Sequence, residues 1–150
     1  MVIEFSKNFT EVELGMRVRA IMGVPEEILD DTIINSPTFK IISSNYINKQ
    51  ISKYEEIQLE NNLELLNIAY LYHICYQICT GMYARLPKQM ENISTKTIMQ
   101  SIDWDSKAVE MLLKCNDVVE EVILEIDDEV DYGNSFAVLT EVSEYPNTSI

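Results

Sequence analysis

The chain has 150 residues, 47% of them hydrophobic, and its 25 acidic and 11 basic residues give a formal net charge of −14. This length suits one domain, and the apolar content separates it from disordered chains of similar charge. Such a charge repels a nucleic-acid backbone unless a basic patch is present, and no such patch is apparent in the sequence.

The first predicted helix begins after Thr10. The run Thr10-Glu-Val-Glu13 matches a capping box, and Gly23 followed by Pro25 predicts the end of the helix. Apolar residues recur inside it at helical spacing: Val12 or Leu14, Val18, Ile21 and Met22. A helical segment of one to two turns is expected within residues 26–35.

A third helix is predicted from Pro37, which suits a first helical turn, to a point near Lys53, with Ser36 as its cap. Its expected core-facing residues are Phe39, Ile42, Tyr46 or Ile47, and Ile51.

The longest predicted helix runs from about residue 58 to about residue 83, with Gly81 and Pro87 marking its end. Its middle, residues 65–79, is apolar nearly all round. A helix of this kind is surrounded by others, so we expect it at the centre of the domain.

Polar and apolar residues alternate over 88–103, which predicts a loop or a short irregular hairpin. Asp103 or Asp105 is expected to cap a last helix from about Ser106 to Ile126. Its predicted core-facing stripe is Val109, Leu112 or Leu113, Val119 and Ile123. The sequence therefore predicts an all-α fold, a small bundle of about four to five helices over residues 1–126.

Residues 127–150 are interpreted as an acidic C-terminal arm. After Lys114 the chain has ten acidic residues and no basic one, so this end repels itself. The run from Phe136 to Val142 is β-prone, and it would pair within the domain or add to a sheet edge of a neighbour. Its candidate partner-binding residues are Phe136, Val138, Leu139 and Tyr145.

The sequence contains no recognisable catalytic, cofactor-binding or metal-site motif. The one histidine, His73, is interpreted as a buried, hydrogen-bonded core or interface residue, because a general base needs a positioned partner and an open cleft. It lies two residues from Cys75 and so points to another helical face. The three cysteines, Cys75, Cys79 and Cys115, are interpreted as buried hydrophobic residues. The acidic pairs Asp30-Asp31 and Asp103-Trp-Asp105 and the run Asp127-Asp-Glu129 are interpreted as solvated helix ends.

The order of elements carries one resemblance. A capped helix leads to Pro25–Ile34, then to a helix over Phe39–Ile51 and a long helix over Leu63–Tyr83 with Ala69-Tyr-Leu-Tyr72 at its centre. A polar loop and a closing helix over Asp105–Ile126 complete the order. Residues 10–126 thus resemble the small head-tail connector, or adaptor, proteins of tailed bacteriophages and related prophage particles.

The resemblance implies a structural virion protein of the phage neck, made in the host cytoplasm, that is not an enzyme and uses no cofactor. It implies a homo-oligomeric ring, often of twelve subunits, between the portal protein and the neck or tail-completion protein. DNA would pass through the ring without specific binding. The sequence contains no run of roughly 18 apolar residues for a membrane span, and its start lacks a signal-peptide pattern.

Two other function classes stay open. One is an acidic inhibitor that mimics DNA and binds a basic nuclease or repressor. The other is an enzyme that uses the carboxylates of Asp30, Asp31, Asp103 or Asp105.

Overall fold

The protein is described by a computed structural model that covers residues 2–53, 59–89, 99 and 101–130. Within these residues there are six α-helices and no strand, which confirms the predicted all-α fold. They follow a short 3-10 helix, Phe5–Asn8, and are α1 (Glu11–Met22), α2 (Asp31–Ile34), α3 (Pro37–Ile51), α4 (Leu59–Thr80), α5 (Met82–Gln89) and α6 (Trp104–Val130). None of these helices has both the length and the apolar character to cross a membrane.

Helix α4 is the centre of the fold. It packs along α6 over most of its length and also contacts α1, α3 and the 3-10 helix. Its Leu66, Tyr70, Ile74 and Ile78 are completely buried, as the apolar character of the helix on all sides predicts. The ring of Tyr70 stacks on that of Phe5, with 5.2 Å between their centroids, so the N-terminal segment is part of the same core.

The helix boundaries near the N-terminus follow local chemistry. The Thr10 side chain accepts a hydrogen bond from the Glu13 amide at 3.1 Å, which confirms the predicted cap of α1. Gly23 ends the helix in the left-handed conformation, with φ of 70°. Pro37 occupies the first turn of α3, while Ser36 stands at the cap position without a side-chain capping hydrogen bond.

Two predicted core faces are correct only in part. Ile47 and Ile51 of α3 and Val119 of α6 are fully buried, as predicted, but one residue of each face is exposed. Ile42 is 46% exposed, and the buried row of α3 is Ser43, Ile47 and Ile51. Val109 is 58% exposed, and the buried row of α6 is Ala108, Met111, Cys115, Val119 and Val122. Both helices carry apolar residues on more than one side, so periodicity alone does not select the side that faces α4.

The C-terminal half also departs from the predicted boundaries. Gly81 makes a turn only, and the chain continues as α5 to Gln89 with Pro87 inside that helix. Helix α6 begins at Trp104 after the cap Asp103 and reaches Val130, beyond the predicted end at residue 126. The predicted loop or hairpin falls largely on residues 90–98, which lie outside the described residues.

An ion pair joins α1 to α2. Arg19 donates to the Asp31 carboxylate at 2.6 Å and to the Leu29 carbonyl at 3.3 Å, and its side chain is mostly buried. The Asp31 carboxylate lies directly over Gly15 of α1, where a Cβ atom would overlap it. The absence of a side chain at Gly15 therefore permits this contact.

We expect Gly15→Ala to lower the free energy of unfolding by about 1 to 2 kcal/mol, because the new methyl group displaces Asp31 from Arg19. Urea denaturation measures the change. In an Asp31→Ala background the overlap is gone, and the same substitution should instead stabilise by about 0.5 to 1 kcal/mol through helix propensity. A destabilisation of equal size in both backgrounds would contradict this explanation.

Candidate functional site

An open cleft of about 530 Å³ lies between α3, α4 and α6. Ile42 and Leu112 supply apolar walls, and Lys49 is the one charged side chain among the described residues that line it. The full lining is Ile42, Asn45, Tyr46, Lys49, His73, Tyr76, Gln77, Thr80 and Leu112. A mixture of apolar, aromatic and amide groups in an open groove of this size suits a peptide segment.

Ser43 determines how α3 sits against α4. Its small side chain is fully buried at the contact, whereas helical spacing predicts that the neighbouring Ile42 is buried there. The Gln77 amide donates to Ser43 Oγ at 2.7 Å and to the Phe39 carbonyl at 3.0 Å. With Ser43 buried, the neighbouring Ile42 is turned out to the wall of the cleft.

His73 completes this buried polar group. Its Nδ1 lies 2.8 Å from Ser43 Oγ. That oxygen also accepts from Gln77, so Ser43 of α3 is held to two side chains of α4. The side chain is 3% exposed, and burial lowers its pKa from 6.5 to about 4. The interpretation of His73 as a buried, hydrogen-bonded residue is confirmed.

Tyr46 connects all three helices at the floor of the cleft. Its ring stacks on His73 with 4.3 Å between centroids, and its hydroxyl donates to Asn116 of α6 at 2.6 Å. The Tyr76 ring packs on the same imidazole in a tilted arrangement, with 5.4 Å between centroids. The three rings form an aromatic floor that hydrogen bonds connect to Ser43 of α3 and Asn116 of α6.

The Ser43–His73 distance is that of a nucleophile and its base. The Ser43 oxygen is nevertheless buried, and its position is fixed by Gln77 and His73. A substrate carbonyl has no path to this oxygen. The pair therefore stabilises the contact between α3 and α4.

The three cysteines are free and buried, as predicted. Cys75 faces α1, with its sulfur 4.0 Å from the Val18 carbonyl, whereas His73 faces α3. Burial raises the pKa of the Cys75 thiol, that of Cys79 to about 11 and that of Cys115 to about 12. In the described part of the chain, no three His, Cys, Asp or Glu side chains are grouped closely enough to hold a metal ion.

Carboxylates of the predicted acidic pairs act at helix starts. Asp30 accepts from the Ile33 amide at 3.0 Å and caps α2, while Asp31 pairs with Arg19. Asp103 caps α6 by accepting from the amide and hydroxyl of Ser106, which lowers its pKa. These contacts confirm helix ends at Asp30 and Asp103 and add an ion pair at Asp31.

The sequence did not identify the cleft. Among the lining residues, only His73 is weighed as a site residue from the sequence. The other signal in the sequence is helical spacing: Ser43 lies about one turn from Tyr46, and His73 lies about one turn from Gln77. The predicted arm residues Phe136, Val138, Leu139 and Tyr145 lie outside the described residues. No family model, curated protein or solved structure matches this chain.

The buried thiols should be inert in the native protein. We expect Cys75, Cys79 and Cys115 to react with a disulfide reagent at least about 100-fold more slowly in buffer than in denaturant, because reaction requires a thiolate and access. Colour development with an aromatic disulfide measures the rate. Rapid modification of any of the three without loss of fold would show that the core packing described above is wrong.

His73 should make stability depend on pH. Its folded pKa lies below the unfolded value of 6.5, so the unfolded chain binds more protons between pH 6.5 and 4. Its contribution is therefore complete above pH 6.5 and is lost as the pH falls, by about 2 kcal/mol at pH 5.

Urea denaturation at pH 7 and pH 5 measures this loss against a matched variant. His73→Asn keeps an acceptor for Ser43 but does not titrate. The loss between the two pH values should be smaller in the variant by about the stated amount. Equal losses in both proteins would exclude His73 as the source.

Proposed function

We propose that this chain acts through protein contacts, as an adaptor subunit of the kind found in the neck of tailed bacteriophages. In this role it assembles into a ring, often of twelve copies, binds the portal protein on one side and receives the neck or tail-completion protein on the other. The observation that carries the protein-binding part is the open cleft between α3, α4 and α6, which presents apolar and aromatic groups to solvent.

Exposed apolar side chains on α3 and α6 support this proposal. Ile41 and Ile42 stand on the outer side of α3, and Val109 and Leu113 stand one turn apart on the outer side of α6. Apolar groups concentrated on neighbouring helices are typical of association surfaces. The identity of the partners rests on the resemblance in the order of helices.

The charge of the chain fits a DNA channel. Exposed carboxylates on α6 include Asp117, Glu120, Glu121 and Glu125. A channel wall of this sign repels the phosphate backbone, so DNA slides through without binding.

The same carboxylates favour a second candidate, an inhibitor that mimics DNA. Glu121 and Glu125 are one turn apart, so their Cβ atoms are separated by about 6 Å, and a basic nuclease or repressor would bind such a row. This binding would weaken steeply with salt. Assembly through an apolar cleft would not.

Absolute mass by light scattering, alone and with the portal protein encoded nearby, tests the proposal. We expect a large species, about 210 kDa for a ring of twelve 17.3 kDa subunits, or a stoichiometric complex with the portal. Electron microscopy of that species should show rings. A monomer that ignores the portal at micromolar concentration and low salt would refute the adaptor function, and salt-sensitive binding to a basic protein would then favour the mimic.

A further inference from the structure

Helix α3 contributes one lysine to each of two grooves on an acidic protein. It contains Lys40 and Lys49 and no acidic residue, and Lys53 follows it. Lys49 lines the cleft described above. Lys40 lines a second groove of about 310 Å³ on the other side of α3, where Glu4 and Lys7 also stand. Because Lys49 is the one charged side chain among the described residues of the cleft, an occupant of the cleft should be apolar and negatively charged.

The C-terminal segment 131–150 of this chain has that chemistry. It contains Asp131, Glu141 and Glu144 and no basic residue. Phe136 and Val138 share one face of an extended chain, and Leu139 and Glu141 share the other. The described residues contain no strand, so they offer no sheet edge for the strand addition considered from the sequence. A groove between helices is the surface that remains for an apolar run of this kind.

The segment does not fit well into the cleft of its own chain. Helix α6 ends at Val130, eighteen residues after the cleft residue Leu112, which is a return path of about 27 Å along the helix. That path passes the exposed carboxylates Asp117, Glu120, Glu121 and Glu125. An acidic segment running beside them is repelled. The six residues from Val130 to Phe136 span at most about 20 Å, which is shorter than that path, whereas the twenty residues together span up to about 65 Å and can reach a neighbouring molecule.

We propose that the cleft between α3, α4 and α6 receives the C-terminal segment of a second copy of this chain. The face with Phe136 and Val138 lies on the aromatic floor, and Glu141, about 7 Å beyond Leu139 in an extended chain, lies beside Lys49 at the rim. Each copy gives its segment to one neighbour and receives a segment from another. This contact is heterologous, and such contacts form a ring when the rotation between neighbours closes. The inference rests on the self-assembly in the proposed function and names the surface that carries it.

A charge swap between two single variants tests the contact. Lys49→Glu keeps a native segment but loses the cleft charge, and Glu141→Lys keeps a native cleft but loses the segment charge. Each variant alone should associate about tenfold more weakly than the unchanged chain, because an attraction becomes a repulsion. In an equimolar mixture, every contact between a Lys49→Glu copy and a Glu141→Lys copy pairs a cleft and a segment of opposite charge. The association constant should therefore return to within about twofold of that of the unchanged chain. Sedimentation over a concentration series measures each state.

The matched control is Lys53→Glu. It makes the same charge change just beyond α3, at a residue that lines neither groove, and should leave association unchanged. Equal weakening by Lys49→Glu and Lys53→Glu would reduce the effect to net charge and overturn the proposal. A mixture that fails to recover, or an unchanged chain that stays monomeric, would overturn it as well.

A photocrosslinker at position 136 locates the segment directly. Chains that carry it, mixed with isotopically heavy unchanged chains, should yield light-to-heavy crosslinks to Ile42, Tyr76 or Leu112. Crosslinks confined to the chain that carries the probe would place the segment in its own cleft and overturn the proposal. Binding to the portal protein is measured separately. Failure of this contact would therefore not refute the adaptor function, and failure of portal binding would not refute this contact.

Discussion

Burial of α4 on every side is the constraint on which the rest of the structure depends. Its apolar residues face α1, α3, α6 and the N-terminal aromatic residues at once, so each of those elements must give one face to it. Burial of large side chains such as Leu66, Ile74 and Ile78 contributes about 1.5 to 3 kcal/mol each. The neighbouring helices are therefore placed by their contact with α4 more than by their own amphipathic character, which explains why α3 and α6 retain apolar residues on their outer sides.

The polar group of Ser43, His73 and Gln77 adds direction to this apolar contact. Hydrophobic burial is non-directional, and α3 has apolar residues on several sides that would satisfy it. The hydrogen bonds of Ser43 with Gln77 and with His73 are directional, and both are made in the rotation that α3 adopts. This rotation buries Ser43, places Tyr46 against Asn116 and opens the cleft beside Ile42. The cleft is thus a consequence of how the buried polar atoms are satisfied.

Charge is separated across the molecule in a way that its net value of −14 conceals. Carboxylates line the outer side of α6, whereas α3 contains Lys40 and Lys49 and no acidic residue. Between copies the same separation favours contact of unlike surfaces and disfavours contact of like ones. The adaptor role and the contact inferred for the C-terminal segment both use this asymmetry.

Local chemistry in the sequence determined the fold class and the central position of α4. It also determined the cap of α1 at Thr10, the end of α1 at Gly23 and the start of α3 at Pro37. These features depend on residues within a few positions of one another. It did not determine which side of α3 and α6 is buried, since both helices offer more than one apolar side and only packing against α4 selects among them. It also did not reveal the cleft, whose key pairs, Ser43–His73 and Tyr46–Asn116, are 30 and 70 residues apart. Contacts over such separations exist only after three helices have packed, so tertiary structure alone decided where this protein presents the cleft.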